Sequence, residues 1–216
     1  MKLEEMSDFF KDRVDGYDEH MRTTIDGASA FYAYTAAQLP SGPARVLDLG
    51  CGTGLELEAY FAVNPEAKVT GIDLCAPMLD ALKAKFPDRV LDLVCGSYFD
   101  VSLPPETFDA AVSVESLHHF PAERKLALYR RLLSALKEDG RFILTDYFAE
   151  SEALEKEYFE NLAVLVREQR LDSGQFYHYD TPLTVGHEME ILSQAGFRAV
   201  QLLKVWGTTC TVCACK

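Results

Sequence analysis

Val46-Leu47-Asp48-Leu49-Gly50-Cys51-Gly52-Thr53-Gly54 runs from an apolar strand, through one acidic residue, into a loop with glycine at every second position. Such glycines remove the side chains that would hold a ligand off the backbone. They also tolerate the positive φ that a tight strand-to-helix turn requires. Leu55 to Ala62 reads as a helix opening at the loop, so its first amides point back at whatever the loop holds. The stretch predicts a strand–loop–helix unit that binds a small ligand; a plain glycine-rich turn is the alternative.

Spacing narrows the ligand. A dinucleotide fingerprint, G-x-G-x-x-G, needs glycine at position 55, which is Leu. Asp48 would repel a pyrophosphate and would suit a ligand carrying an ammonium or sulfonium group. On these nine residues the chain resembles the class I (Rossmann-like) S-adenosylmethionine (SAM)-dependent methyltransferases, whose first motif has the form V-L-D-L-G-C-G-T-G. The resemblance implies that Gly50, Cys51, Gly52, Thr53 and Gly54 face the methionine part of SAM. It also implies that Asp48 helps hold the amino group and that the product is S-adenosylhomocysteine.

A second strand pattern, Lys68-Val69-Thr70-Gly71-Ile72-Asp73, ends in a carboxylate about 20 residues beyond the loop, the interval expected for a partner of ribose hydroxyls. By resemblance Leu74 and Met78 pack on the adenine; ordinary core positions are the alternative. A looser match follows at Cys95-Gly96-Ser97-Tyr98. There the family has Gly-Asp-Ala, with the Asp reaching the adenine amino group. Ser97 accepts the same bond with a shorter reach, and Tyr98 replaces the small residue. The strand Phe108 to Val114 with Glu115-Ser116-Leu117-His118-His119-Phe120, and Leu136 to Leu144, extend the resemblance over about residues 45 to 147.

Apolar strands alternating with amphipathic helices predict βαβ units. The expected fold is α/β and doubly wound: a mostly parallel seven-stranded sheet with a reversed last strand and helices on both faces. Strands are read near 45–49, 68–73, 90–94, 108–114, 140–147, 199–205 and 208–215, the last two joined at Trp206-Gly207 and antiparallel at the sheet edge. Residues 1–216 are expected to form one methyltransferase domain. Its parts are a helical cap (1–44), a cofactor-binding core (45–147), a substrate-side insertion (149–182), and a final helix with the antiparallel pair (183–216).

A chain of 216 residues, 48% of them hydrophobic, can bury a sizeable core without disulfides. Six scattered cysteines (51, 75, 95, 210, 213, 215) fit a reducing cytoplasm. The charged start, Met1 to Asp15, has no signal-peptide core, and no stretch approaches a membrane span. Against 34 acidic side chains stand 21 basic ones, a formal charge of −13 that disfavours a nucleic-acid partner. Arg124-Lys125 with Arg130-Arg131, on a helix read from Ala122 to Lys137, are expected to form a solvated face. A small-molecule substrate, no membrane, and a monomer or homodimer are expected.

Acceptor choice is expected to lie outside the core. Tyr17, in the Tyr17-Asp18-Glu19-His20-Met21 stretch of a helical segment from Phe9 to Leu39, covers the cofactor by resemblance; packing on the domain is the alternative. The insertion reads as a long helix through Arg170 and a stop at Asp172-Ser173-Gly174. The aromatic run Phe176-Tyr177-His178-Tyr179-Asp180 then serves as a pocket wall or as a loop anchor. Methyl transfer mainly needs alignment. Where a proton must leave, Glu115 and His118 are the expected catalytic residues, with His119 and His178 also in reach. Adjacent histidines rarely point at one ion, and Cys210-Thr211-Val212-Cys213-Ala214-Cys215 reads as a strand, so no metal is expected. Three functions remain open: a small-molecule methyltransferase, an RNA (tRNA) modification methyltransferase, and a non-catalytic SAM-binding regulator.

Overall fold

Four of the five residues of β1 (Arg45–Leu49) are buried, and the strand sits inside the sheet with parallel neighbours on both sides. The fold is known from a computed structural model that describes residues 1–172 and 174–216; Ser173, in the expected helix stop, lies outside the described residues. The other strands are β2 (Lys68–Asp73), β3 (Val90–Cys95), β4 (Phe108–Val114), β5 (Leu136–Tyr147), β6 (Ala199–Trp206) and β7 (Thr209–Cys215). Their order is β3-β2-β1-β4-β5-β7-β6. The chain therefore leaves β1 toward β2 and β3 and resumes on β1's other side with β4. This reversal opens a crevice at the carboxyl edge of the strands.

β7 runs antiparallel between β5 and β6, as expected of the reversed last strand. Its hairpin turns at Gly207-Thr208, one residue later than expected, with Gly207 at φ 59°. β1 and β4 are mostly apolar, broken by Asp48 in one and by Asp109 and Ser113 in the other, because helices cover both faces. On one face, α3 (Ala28–Gln38) and α4 (Leu55–Val63) bury Phe31, Leu57 and Tyr60. On the other, α6 (Ala122–Ala135) and α8 (Val185–Ala195) bury Leu128, Leu132 and Leu192. The remaining helices are α1 (Met6–Lys11), α2 (Tyr17–Thr24), α5 (Ala76–Lys85) and α7 (Glu152–Glu168).

Several boundaries differ from the expectation. The N-terminal segment is three α-helices, the first separated from the second by Asp12-Arg13 and a 3₁₀ turn, Val14–Gly16, and the second from the third at Gly27, which takes φ 77°. α6 ends at Ala135, because Leu136 is already extended and pairs with Phe108 of β4. α7 ends at Glu168, and Arg170 adopts φ 54°.

The expected solvated basic face holds for Arg124 and Arg130, which are exposed, and is corrected at Lys125 and Arg131. Lys125 is 1% exposed, and its Nζ lies 2.5 Å from Glu188 Oε2 of α8, itself fully buried. The Tyr129 hydroxyl donates to the other Glu188 oxygen. Arg131 donates to the carbonyls of Tyr98, Phe99 and Val101, so it braces the segment after β3. Removing one member of a buried pair strands the other charge without water. Glu188→Ala is therefore expected to cost about 3–5 kcal/mol, read as a fall in the urea midpoint.

Candidate functional site

The glycine loop is held from both sides. Gly50 and Cys51 donate their N–H to Ile72 O of β2 at 2.8 and 3.3 Å, and Ser113 Oγ of β4 donates to Leu49 O. Gly50 takes φ 73°, and a Cβ there would stand 2.0 Å from Ser116 Oγ, so only glycine fits. Gly52, at φ 46°, faces open space. Asp73, at the end of β2, accepts Gly52 N–H at 2.9 Å and Cys75 N–H at 2.8 Å, one on each oxygen. Burial pushes its carboxyl upward, against the pull of these amides.

Gly50, Gly52, Asp73, Leu74, Met78, Tyr98, Glu115 and Ser116 line one small hollow. Of the residues expected to touch a cofactor, this gathers Gly50, Gly52, Asp73, Leu74, Met78 and Tyr98, with Tyr17 arriving from the cap. Met6 and Phe10 of α1 enter the same hollow and leave only about 50 Å³ free. The Tyr98 hydroxyl lies 3.2 Å from Ser116 Oγ and donates to Ser116 O at 3.4 Å.

Five expected residues stand elsewhere. Asp48 is 1% exposed and does not line the hollow. It meets Glu56 of α4 beneath the loop, where Asp48 Oδ2 and Glu56 Oε1 have no other partner. Burial, then the Glu56 charge, holds the Asp48 carboxyl well above the usual range, so the two acids share a proton. Ser97 accepts the N–H of Phe99 in a local turn and is absent from the hollow's wall. Thr53 donates to Asp18 Oδ1 of α2 at 2.5 Å. Cys51 is buried, and Gly54 is at φ 73° against Leu82 and Phe86. Glu56 escaped the sequence reading; its only signal was a charged residue on a helix face otherwise apolar.

Beside the hollow, and sharing Phe10, Tyr17, Glu115 and His119 with it, lies a cleft of about 1260 Å³. Phe9, Met21, Tyr147 and Trp206 supply apolar wall. Five acids (Asp12, Asp15, Asp26, Glu115, Asp180) and one arginine, Arg13, supply its charge. Glu115 follows β4 at φ 49°, a conformation disfavoured for a residue with a side chain. Burial, then the charge of Asp146, pushes its carboxyl up to about 7. Thr209 donates to it at 3.2 Å.

His118 and His119 sit on a 3₁₀ turn, Leu117–His119. His118 Nδ1 lies 2.5 Å from Asp146 Oδ1 at the end of β5, while its Nε2 is 3.4 Å from Asp180 Oδ1. Burial works against charge on His118, yet these carboxylates outweigh it and hold the imidazole well above its usual range. Burial and the His118 charge lower His119. His178, stacked on Phe9 at 3.4 Å, is pushed down to about 4 by burial and His119. Tyr177 pairs with Glu5, and Tyr179 carries the carbonyl that faces His119.

Residues 47–144 match the family described as methyltransferase domain. The fold is that of the class I methyltransferases. It is 28% identical over 139 residues to a tRNA (carboxymethyluridine(34)-5-O)-methyltransferase of Xenopus tropicalis, covering 64% of this chain and 20% of that one. It is 34% identical over 109 residues to phosphoethanolamine N-methyltransferase 3 of Arabidopsis thaliana, covering 48% and 21%. The chain thus spans about a fifth of the length of these two relatives. Human N-acetylserotonin methyltransferase, solved in complex with SAM, superposes with a TM-score of 0.63 at 21% identity, covering 96% of this chain and 55% of that one.

The acid pair under the glycine loop has a signature in stability. Asp48 keeps a proton on folding that the unfolded chain releases above about pH 4, so the pair's contribution falls as pH rises. Asp48→Asn keeps a hydrogen bond to Glu56 without that proton. Between about pH 5 and about pH 8 the variant is expected to gain about 1 kcal/mol or more on the parent. Urea unfolding at both pH values measures it.

Proposed function

We propose that the chain is a SAM-dependent methyltransferase acting on a small neutral or cationic acceptor held in the cleft beside Glu115. The acidic, aromatic wall of that cleft carries the reading: Asp12, Asp15, Asp26 and Asp180, with Glu115, outnumber Arg13 and His118 and would repel a phosphate backbone, while rings and a large volume suit a small molecule. The six free cysteines fit a reducing cytoplasm. Among the described residues no helix is long and apolar enough to cross a membrane.

The residues present fit SAM. Asp73 retains lone pairs for ribose hydroxyls, Leu74 and Met78 offer an apolar wall for adenine, and the open space before Gly52 leaves its loop accessible. A ligand of this kind needs roughly 300 Å³ or more, so Met6 and Phe10 must withdraw for it to enter. When bound, SAM supplies a methyl already activated on a sulfonium. Glu115, poised near neutrality, takes a proton from the acceptor where one must leave. His118, its two nitrogens facing Asp146 and Asp180, is poorly placed to act as that base and instead orients the acceptor. Tyr17, shared by hollow and cleft, walls the passage between them.

Two variants separate these roles. Asp73→Ala is expected to weaken SAM binding by about 1.5–3 kcal/mol, roughly ten- to hundredfold, by calorimetry. Glu115→Gln is expected to keep SAM affinity and lose about 10²–10⁴ in turnover on an acceptor found by screening metabolite pools with labelled SAM. Unchanged SAM binding by Asp73→Ala, or NAD binding with SAM excluded, would remove the reading.

RNA modification is the second reading. It is supported by the tRNA methyltransferase relative and by Arg124, Arg167 and Arg170 around a separate hollow. Filter binding at physiological salt is expected to give only weak binding to tRNA. Submicromolar binding that falls steeply with salt would put the RNA reading first. A regulator without catalysis would be favoured by a filled acceptor cleft, and this one is open.

A further inference from the structure

The turn after β4 does what adjacent histidines seldom do. His118, His119 and Asp180 each bring one ligand atom within 4.8 Å of the other two, and Asp180 Oδ1 stands 3.4 Å from His118 Nε2 and 3.3 Å from His119 Nδ1. Around one ion with bonds of about 2.0–2.2 Å, ligand atoms at tetrahedral or octahedral angles lie about 3.0–3.5 Å apart. We propose that His118, His119 and Asp180 bind a divalent first-row transition metal ion, with an open coordination position toward the cleft.

Three further observations bear on the same point. Asp146 takes the far nitrogen of His118 at 2.5 Å, the support by which metal-binding imidazoles are generally oriented. The segment carrying Asp180 is fastened to the histidine turn: Thr181 donates its N–H to His118 O at 2.9 Å. The ligand atoms are thereby preorganised on two elements distant in sequence. Finally, the surrounding acids of the cleft favour a cation, and two imidazoles with one carboxylate suit zinc, iron, cobalt or nickel better than magnesium or calcium.

A bound ion would take the place of the proton on His118 Nε2 and join the two carboxylates through positive charge. It would also present its open position to a hydroxyl, amine or carboxylate of a molecule in the cleft. The inference rests on ligand geometry and does not need the methyl-transfer reading; the ion can be measured without SAM.

The test is a titration of EDTA-treated protein with cobalt(II), followed by visible absorption and thermal midpoint. Cobalt distinguishes this site from the Cys213–Cys215 pair, whose sulfurs are 4.0 Å apart, because thiolate ligation adds a sulfur charge-transfer band. The expected result is one ion per chain, no sulfur band, and a raised midpoint. Asp180→Asn, at a half-exposed position, and His119→Gln should each weaken binding at least about tenfold, with Cys213→Ser unchanged. Midpoints in EDTA report whether each variant folds. A parent protein that binds no cobalt below about millimolar concentration, a sulfur band lost in Cys213→Ser, or a folded Asp180→Asn that binds like the parent would each overturn the proposal. SAM calorimetry on the same EDTA-treated sample reads the cofactor assignment separately.

Discussion

Asp73 fastens three parts of the molecule at one carboxylate. One oxygen takes the amide of Gly52 and the other that of Cys75, so the end of β2, the glycine loop after β1 and the entry to α5 share one fixed geometry. A carboxylate shielded from water is tolerable only when it is so paired, and its partners here are backbone amides, which any residue but proline supplies at positions 52 and 75. With the loop also hung on Ile72 O, the crevice at the sheet's reversal point keeps its shape.

Everything that closes over this crevice comes from sequence remote from it. α1 and the 175–180 segment meet above it: Met6 N–H donates to Phe176 O at 2.9 Å, His178 N–H donates to Glu4 O at 3.0 Å, and Phe9 stacks on His178. On the other side, Asp18 of α2 accepts from Thr53 and pairs with Lys85 of α5 at 2.5 Å. The cap is thus tied to the loop itself and to the helix that follows Asp73. Its apolar side chains, Met6 and Phe10, occupy the hollow that the glycines line. Access to the hollow and the shape of the larger cleft beside it are consequently set by the same few contacts.

The sheet was legible because its inner strands are buried on both faces and read as predominantly apolar runs, and the glycine loop because its backbone demands are local. Helix ends were less so. Leu136 leaves α6 to pair with Phe108, a choice made by a strand 28 residues away. The site was legible only where one chain segment suffices, as with Gly50, Gly52 and Asp73. Asp48 and Lys125 were placed by partners on other elements, Glu56 and Glu188, whose proximity no spacing reveals. Asp146 and Asp180 escaped notice for the same reason, though they decide what His118 can do.

The central claim is that the hollow held by Asp73 receives the adenosine end of SAM, with the methyl directed at the cleft beside Glu115. A crystal structure of the protein with S-adenosylhomocysteine tests it most directly. The account predicts ribose hydroxyls on Asp73, adenine between Leu74 and Met78, the sulfur facing Glu115, and Met6 and Phe10 displaced. A ligand bound outside the hollow, or with its ribose away from Asp73, would contradict it.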